Sequence, residues 1–229
     1  MTACVAGSLK LLTCSRLEPY WFKDPVPGTA LPVGLMNNRQ LRRHMRTERR
    51  AIPPAEHALR SSQLARHAGV SLFNRGAQTF ACFLSADGEV DTRPLITRLL
   101  ARGASVWLPC LGEPVLRFRE YQPGMRMRTG DFGIREPALG PFRRATQIEV
   151  VLTPLVAFDC QGYRLGMGGG YYDRSLARRK RLARYRHPRI VGVAFDRQRV
   201  DSIDVQPWDV PLDAVVTETG LHTFTHLIP

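Results

Sequence analysis

Residues 148–174 read IEVVLTPLVAFDCQGYRLGMGGGYYDR. The first eleven, IEVVLTPLVAF, are almost all β-branched or apolar and predict a buried central strand. A helix is expected over residues 171–184, and Gly166, Gly168, Gly169 and Gly170 fall just before it. A strong strand, a glycine turn and a helix in succession mark the place where open α/β sheets bind ligands. Outward from this unit, strand and helix patterns alternate. TFACFL (residues 79–84) and SVWLPC (105–110) read as buried strands on either side of a helix at 93–101. VLRFREY (115–121) alternates like an edge or half-exposed strand, an irregular stretch follows, and RIVGVAF (189–195) and AVVTET (214–219) read as two more strands. Upstream, a basic helix begins at Asn38 with Leu41, Met45 and Arg49 on one face. Pro53 and Pro54 end it and open another over about residues 55–67. The pattern predicts an α/β three-layer sandwich with a mainly parallel central sheet flanked by helices.

The first 35 residues differ. Pro19, Pro25, Pro27, Gly28, Pro32 and Gly34 break any periodicity. They are expected to be a disordered leader or an over-called start with Met36 as initiator, residues 36–229 forming a single domain. The 229-residue chain is 44% hydrophobic and 23% charged, the balance of a folded globular protein rather than a disordered or collagen-like one. No apolar run suits a membrane span, and the opening residues lack the order of a signal peptide. Five cysteines, odd in number and without metal-like spacing, predict reduced thiols in the cytoplasm. Six histidines give no convincing ligand pair; His222 and His226 fall in what reads as a polar C-terminal tail. The net charge of +13 rests on three lysines and thirty arginines and favours polyanionic partners, without choosing among nucleotides, polycarboxylates and nucleic acid.

The glycine turn narrows the choice. Consecutive amide N–H groups in such a turn, with a helix N-terminus behind them, cradle phosphate oxygens. The common fingerprints do not fit: no lysine completes a G-x-x-x-x-G-K-[ST] loop, and Tyr171 replaces the last glycine of G-x-G-x-x-G. Asp173 suits either a helix-start carboxylate or a ligand for Mg²⁺, with Asp209 or Asp213 available as a second carboxylate.

PLVAFDCQGYRLGMGGGYYDR followed by WDVPLDAVVTET closely resembles the signature of the 5-formyltetrahydrofolate cyclo-ligase (methenyltetrahydrofolate synthetase) family. FLSADGEVDTRPLI, FGIREP and the arginine-rich first helix extend the likeness over roughly residues 38–219. The resemblance implies a ligase that uses ATP and Mg²⁺ to cyclise 5-formyltetrahydrofolate to 5,10-methenyltetrahydrofolate, releasing ADP and phosphate. The formyl oxygen is phosphorylated, N10 attacks the activated carbon, and phosphate leaves.

Carried over residue by residue, Arg39 and Arg42 reach the nucleotide phosphates, with Asn38 standing where the family often has lysine. Leu84, Glu89 and Phe132 hold the folate. Arg164, Gly166, Met167, Gly168, Gly169, Gly170, Tyr171 and Tyr172 form the nucleotide loop, and Met167 through Tyr171 also touch substrate. Arg164, Tyr171 and Arg174 are the expected catalytic residues, and Asp173 and Asp209 the metal ligands. Some family members carry basic residues where this chain has Met167 and Gly169, so other arginines must meet the transferred phosphate. The expected partners are ATP and 5-formyltetrahydrofolate, with or without a polyglutamate tail; the protein is expected to be a monomer, without membrane or nucleic-acid partners. The alternatives are an RNA-binding or regulatory protein on the same fold, although no RNP, KH or zinc-knuckle motif accompanies the charge, and a different ATP-dependent ligase.

Overall fold

Caps and prolines set where the helices begin. The computed structural model describes residues 36–73, 76–111, 114–181 and 188–224, so the leader, Cys4, Cys14, His187 and His226 lie outside the described residues. Helix α1 (Asn38–Arg50) starts at Asn37, whose side chain accepts from the Arg39 and Gln40 amides while Gln40 accepts from the Asn37 amide. The predicted face is observed: Leu41, Met45 and Arg49 are buried. Helix α2 (Pro54–Phe73) opens on a proline, which has no N–H to lose there. It runs beyond the predicted end because Leu64, Ala65, Ala68 and Leu72 keep burying one face.

In chain order there follow β1 (Thr79–Ala81), α3 (Arg93–Ala101), β2 (Ser105–Cys110), β3 (Arg117–Tyr121), β4 (Met127–Thr129), β5 (Arg135–Pro137) and β6 (Phe142–Arg144). Then come β7 (Val150–Pro154), β8 (Ala157–Phe158), β9 (Arg164–Leu165), α4 (Tyr171–Arg181), β10 (Arg189–Val193), β11 (Ala214–Thr217) and β12 (Gly220–Thr223). Eight strands form one sheet in the order β12-β11-β10-β7-β1-β2-β3-β6. The five from β11 to β2 are mutually parallel, and antiparallel strands close both edges. Successive residues of β7 face opposite ways. Val150 and Leu152 join the core under α2 and α3, while Val151 packs in the core that holds Leu176 of α4. Helices therefore cover both faces, giving the expected three layers. Among the described residues, no helix is long and apolar enough to cross a membrane.

The chain leaves β1 for β2 on one side and later enters β7 on the other. Strand order thus reverses between β1 and β7, and the crevice beyond their C-terminal ends is where an open α/β sheet takes a ligand.

Some expectations need correction, among them the strand over residues 79–84, which ends at Ala81. The stretch 148–158 is two strands rather than one: β7 stops at Pro154, and β8 pairs with β9 in a separate hairpin. The carbonyls of Leu155 and Val156 turn instead to the Gln198 amide, at 2.9 and 3.0 Å. Of the two readings of β3, edge or half-exposed, the second holds: β6 covers it, and of its five residues only Phe118 is fully buried. The irregular stretch after Tyr121 holds the β4–β5 hairpin as well as β6, strands too short to show a period. The polar tail begins as β12, where His222 pairs with Val215 in register.

Candidate active site

The chain leaving β1 turns sharply at Asp87 (φ 53°) and Gly88 (φ 73°). Asp87 anchors three arginines of α1. Arg46 Nε lies 2.8 Å from Oδ2, Arg50 binds Oδ1, and Arg49 Nη2 lies 3.1 Å from Oδ2 and 2.7 Å from the Asp87 carbonyl. Burial pushes the Asp87 carboxyl up, but hydrogen bonds from Arg46 and Arg50 and the charges of Arg46 and Arg49 outweigh it, leaving it below its ordinary range. The Arg49 side chain is only 1% exposed. Its Nη1 donates to the Leu155 carbonyl after β7 at 3.4 Å and stands 3.9 Å from Glu89 Oε1. Glu89 Oε2 accepts from the Ala86 amide at 3.1 Å. Burial raises the Glu89 carboxyl above its ordinary range, against the pull of that amide and of Arg49.

Across the strand reversal, Asp159 shapes the β8–β9 hairpin by accepting from the amides of Gln161, Tyr163 and Ile203. The glycine turn follows. Gly166 gives its carbonyl to Arg42 Nε of α1 at 2.8 Å. Gly168 and Gly170 have φ of 102° and 64°, conformations that side chains rarely adopt. A Cβ on Gly170 would also stand 2.7 Å from Arg174 Nη1. Arg174 curls back over the turn, its guanidinium 5.0 Å from the Tyr171 ring centre and its Nε on the Pro114 carbonyl. Met167 is half exposed at the same turn. The Tyr172 hydroxyl is driven upward by burial, with Cys82 and Glu89 adding and Arg164 opposing.

Arg164 is buried, donating from Nη2 to Asp173 Oδ1 at 2.6 Å and from Nη1 to the Val210 carbonyl. The Val210 amide donates to the same Asp173 oxygen at 3.2 Å. Asp173 is thereby tied to the segment that carries Asp209, whose Oδ2 accepts from the Gln206 amide at 2.8 Å. Asp213 belongs elsewhere: it accepts from the Ile190 amide and from Arg179, at the N-terminal ends of β10 and β11.

The sequence matches the model of the 5-formyltetrahydrofolate cyclo-ligase family over residues 35–218. The chain belongs to this family. It is 39% identical over 180 residues to the 5-formyltetrahydrofolate cyclo-ligase of Escherichia coli, covering 76% of this chain and 96% of that one. It is 37% identical over 184 residues to that of Haemophilus influenzae, with the same coverage. Its fold matches a 5,10-methenyltetrahydrofolate synthetase from Aquifex aeolicus with a TM-score of 0.70 at 28% identity, covering 85% of this chain and 96% of that one. A synthetase from Mycoplasma pneumoniae shares the fold with a TM-score of 0.64. The chain is therefore an enzyme of the cyclo-ligase type.

Within this cyclo-ligase frame, the residues singled out from sequence fall into groups. Arg42 touches the glycine turn, and Arg39 lies exposed in the first turn of the same helix. Asn38, where the family often has lysine, ties the helix start to the Asp204 carbonyl at 2.7 Å. Leu84 is half-buried after β1 and packs on the core beneath α2 and α3. Phe132 lies in the turn between β4 and β5, a hairpin fastened beyond the C-terminal end of β2 by buried Glu136, which accepts from the Leu111 amide and from Arg128. Sequence reasoning missed the Asp87 hub, Asp159 and the role of Arg49. An arginine on an otherwise apolar helix face was the one signal for Arg49. Asp87 lies 38 residues away from it, so no spacing rule joins them.

Proposed function

We propose that the protein converts ATP and 5-formyltetrahydrofolate to 5,10-methenyltetrahydrofolate, ADP and phosphate in the crevice beyond β1 and β7. The observation that carries this reading is that one helix, α1, meets both loops. Arg42 reaches the glycine turn, and Arg49 reaches the turn that holds Glu89. In this reading the phosphate cradle and the part-buried carboxylate that meets a flat nitrogenous ring belong to the two loops that α1 joins. The glycine turn, with Arg39, Arg42, Tyr171, Tyr172 and Arg174, is the proposed seat of the nucleotide phosphates. Leu84, Glu89 and Phe132 are the proposed folate side, and Met167 to Tyr171 the strip between.

A formamide oxygen is a poor leaving group, which is why ATP is needed. The formyl oxygen attacks the γ-phosphorus, the bond to the β-phosphate oxygen breaks, and ADP leaves. The N10 lone pair then attacks the formyl carbon and N10 gives up its proton. The carbon–oxygen bond breaks, releasing phosphate and leaving the methenyl bridge. The protein's part is to position the reactants and to neutralise charge. Arg174 brings a cation to the turn, and Arg164 acts by orienting Asp173. Asp173 and Asp209 offer hard oxygen donors, Asp173 Oδ1 being shared with Arg164 Nη2 and the Val210 amide. That donor set fits Mg²⁺ shared with substrate phosphates and water. Bound there, Mg²⁺ supplies charge neutralisation. We assign the reaction to a cytoplasmic monomer.

The test is absorbance in the methenyl-folate band with purified protein, 5-formyltetrahydrofolate, ATP and Mg²⁺. The band is expected to grow, to need both ATP and Mg²⁺, and to collapse in Asp173→Ala. Turnover that survives in the variant removes Asp173 from the metal site. A flat trace from folded wild-type protein overturns the reading.

A further inference from the structure

We infer that Arg49 is the positioning residue that keeps Glu89 an ionised acceptor for the folate ring. This rests on the folate role of Glu89 proposed above. Arg49 never needs to meet substrate: it is buried, and four of its contacts fasten it to protein. They are the Asp87 carbonyl through Nε and Nη2 at 3.0 and 2.7 Å, Asp87 Oδ2 at 3.1 Å, and the Leu155 carbonyl through Nη1 at 3.4 Å. This bracing fixes the plane of the guanidinium and leaves its Nη1 edge 3.9 Å from Glu89 Oε1. Glu89 is held from its other side by the Ala86 amide on Oε2, so its two oxygens have separate fixed neighbours.

The chemistry gives this pair a task. The 2-amino-4-oxo face of a pterin presents parallel N–H donors, and only an ionised carboxylate can accept both. A carboxylate largely withdrawn from water, as Glu89 is, tends to protonate, and a protonated one offers a donor where the ligand already has one. The groups facing Glu89 come from every side. Asp87 in its own turn and the Tyr172 hydroxyl of α4 add no favourable charge, and His57 of α2 meets only the Glu89 carbonyl, at 2.9 Å. Arg49 of α1 is the cation that opposes protonation. Arg46 and Arg50 bind Asp87 without facing Glu89.

The experiment measures kcat/KM for 5-formyltetrahydrofolate against pH in the wild type, Arg49→Lys, Arg49→Met, Glu89→Gln and Arg46→Gln, with saturating ATP and Mg²⁺. Arg49→Met is expected to move the acid limb to higher pH and to raise the folate KM about tenfold at pH 7, leaving the ATP KM near wild type. Arg49→Lys, which keeps the charge, retains the wild-type limb, and Arg46→Gln does likewise. In Glu89→Gln the limb disappears, and adding Arg49→Met on that background raises the folate KM no further. Should Arg49→Met prove too unstable, Arg49→Gln takes its place as the uncharged variant, and a limb that moves equally in it and in Arg46→Gln overturns the inference. So does an Arg49→Met limb that stays in place. If Glu89→Gln turns over folate as the wild type does, the folate role of Glu89 fails first, a separable result.

Discussion

Arg49 occupies a helix position where the spacing of Leu41 and Met45 calls for an apolar side chain, and burying it commits Asp87 and Leu155 to its hydrogen bonds. The same logic runs through the glycine turn, where Gly170 combines a left-handed φ with an arginine nitrogen in the space of a Cβ. Gly170→Ala is therefore expected to fold normally but to lose about tenfold or more in kcat/KM for ATP, through backbone strain and a displaced Arg174; steady-state kinetics at varied ATP checks this. Cysteine chemistry gives another residue-scale outcome. Burial pushes the Cys82 thiol up to about 12 and the Cys110 thiol up to about 11, while Cys160 is exposed. Brief iodoacetamide treatment near pH 8, read by peptide mass spectrometry, is expected to label Cys160 and spare Cys82 and Cys110 until the protein is denatured. The glycine turn before α4, where Gly168 and Gly170 do take left-handed φ, was legible in sequence because the crowding of glycines marks it. Arg49 and Asp87 were not, because a buried ion pair joins residues on separate elements.

Elements show a different balance. Helix α3 and strand β2 fall within their predicted limits, since both are long enough for a clear period and α3 carries a proline in its first turn. β4, β5 and β6 span three residues each and owe their existence to partners, not to local pattern. The break between β7 and β8 depends on Gln198 and Arg49 taking the carbonyls there, a tertiary choice made far along the chain. Docking of α1 is the element on which the site depends most. Because the Asp87 pKa is lowered on folding, its ion pairs stabilise the protein above the ordinary carboxylate range, and that stability is lost as pH falls through the lowered value. Asp87→Asn keeps a residue that tolerates positive φ while removing the charge. It is expected to cost on the order of 1–2 kcal/mol at pH 7. The gap from wild type should close in acid, as urea denaturation at several pH values would reveal; a gap independent of pH would assign the loss to packing instead. Glu89 has the opposite sign: its raised carboxyl costs stability as pH climbs through the range between its ordinary and folded values.

Over the whole molecule, the surplus of arginine is partly internal structure. Asp87, Glu136, Asp173, Asp213 and Glu218 each hold one or more arginines, so a basic sequence need not mean a uniformly basic surface. The layered α/β architecture was legible because strand and helix patterns alternate along the chain. The strand order was not, since the reversal between β1 and β7 is written in no single segment. That reversal also needs close packing beside it: a Cβ on Gly192 of β10 would lie 2.7 Å from Leu155 Cδ2 and 2.8 Å from Val215 Cγ2. Gly192→Ala is expected to destabilise by about 1–3 kcal/mol, lowering the thermal midpoint. In the proposed reaction the γ-phosphoryl of ATP passes to the formyl oxygen within this crevice. The most direct measurement supplies 5-formyltetrahydrofolate labelled with ¹⁸O in the formyl group and weighs the inorganic phosphate after turnover. One ¹⁸O in each phosphate released is the predicted result; unlabelled phosphate formed alongside methenyltetrahydrofolate would contradict it.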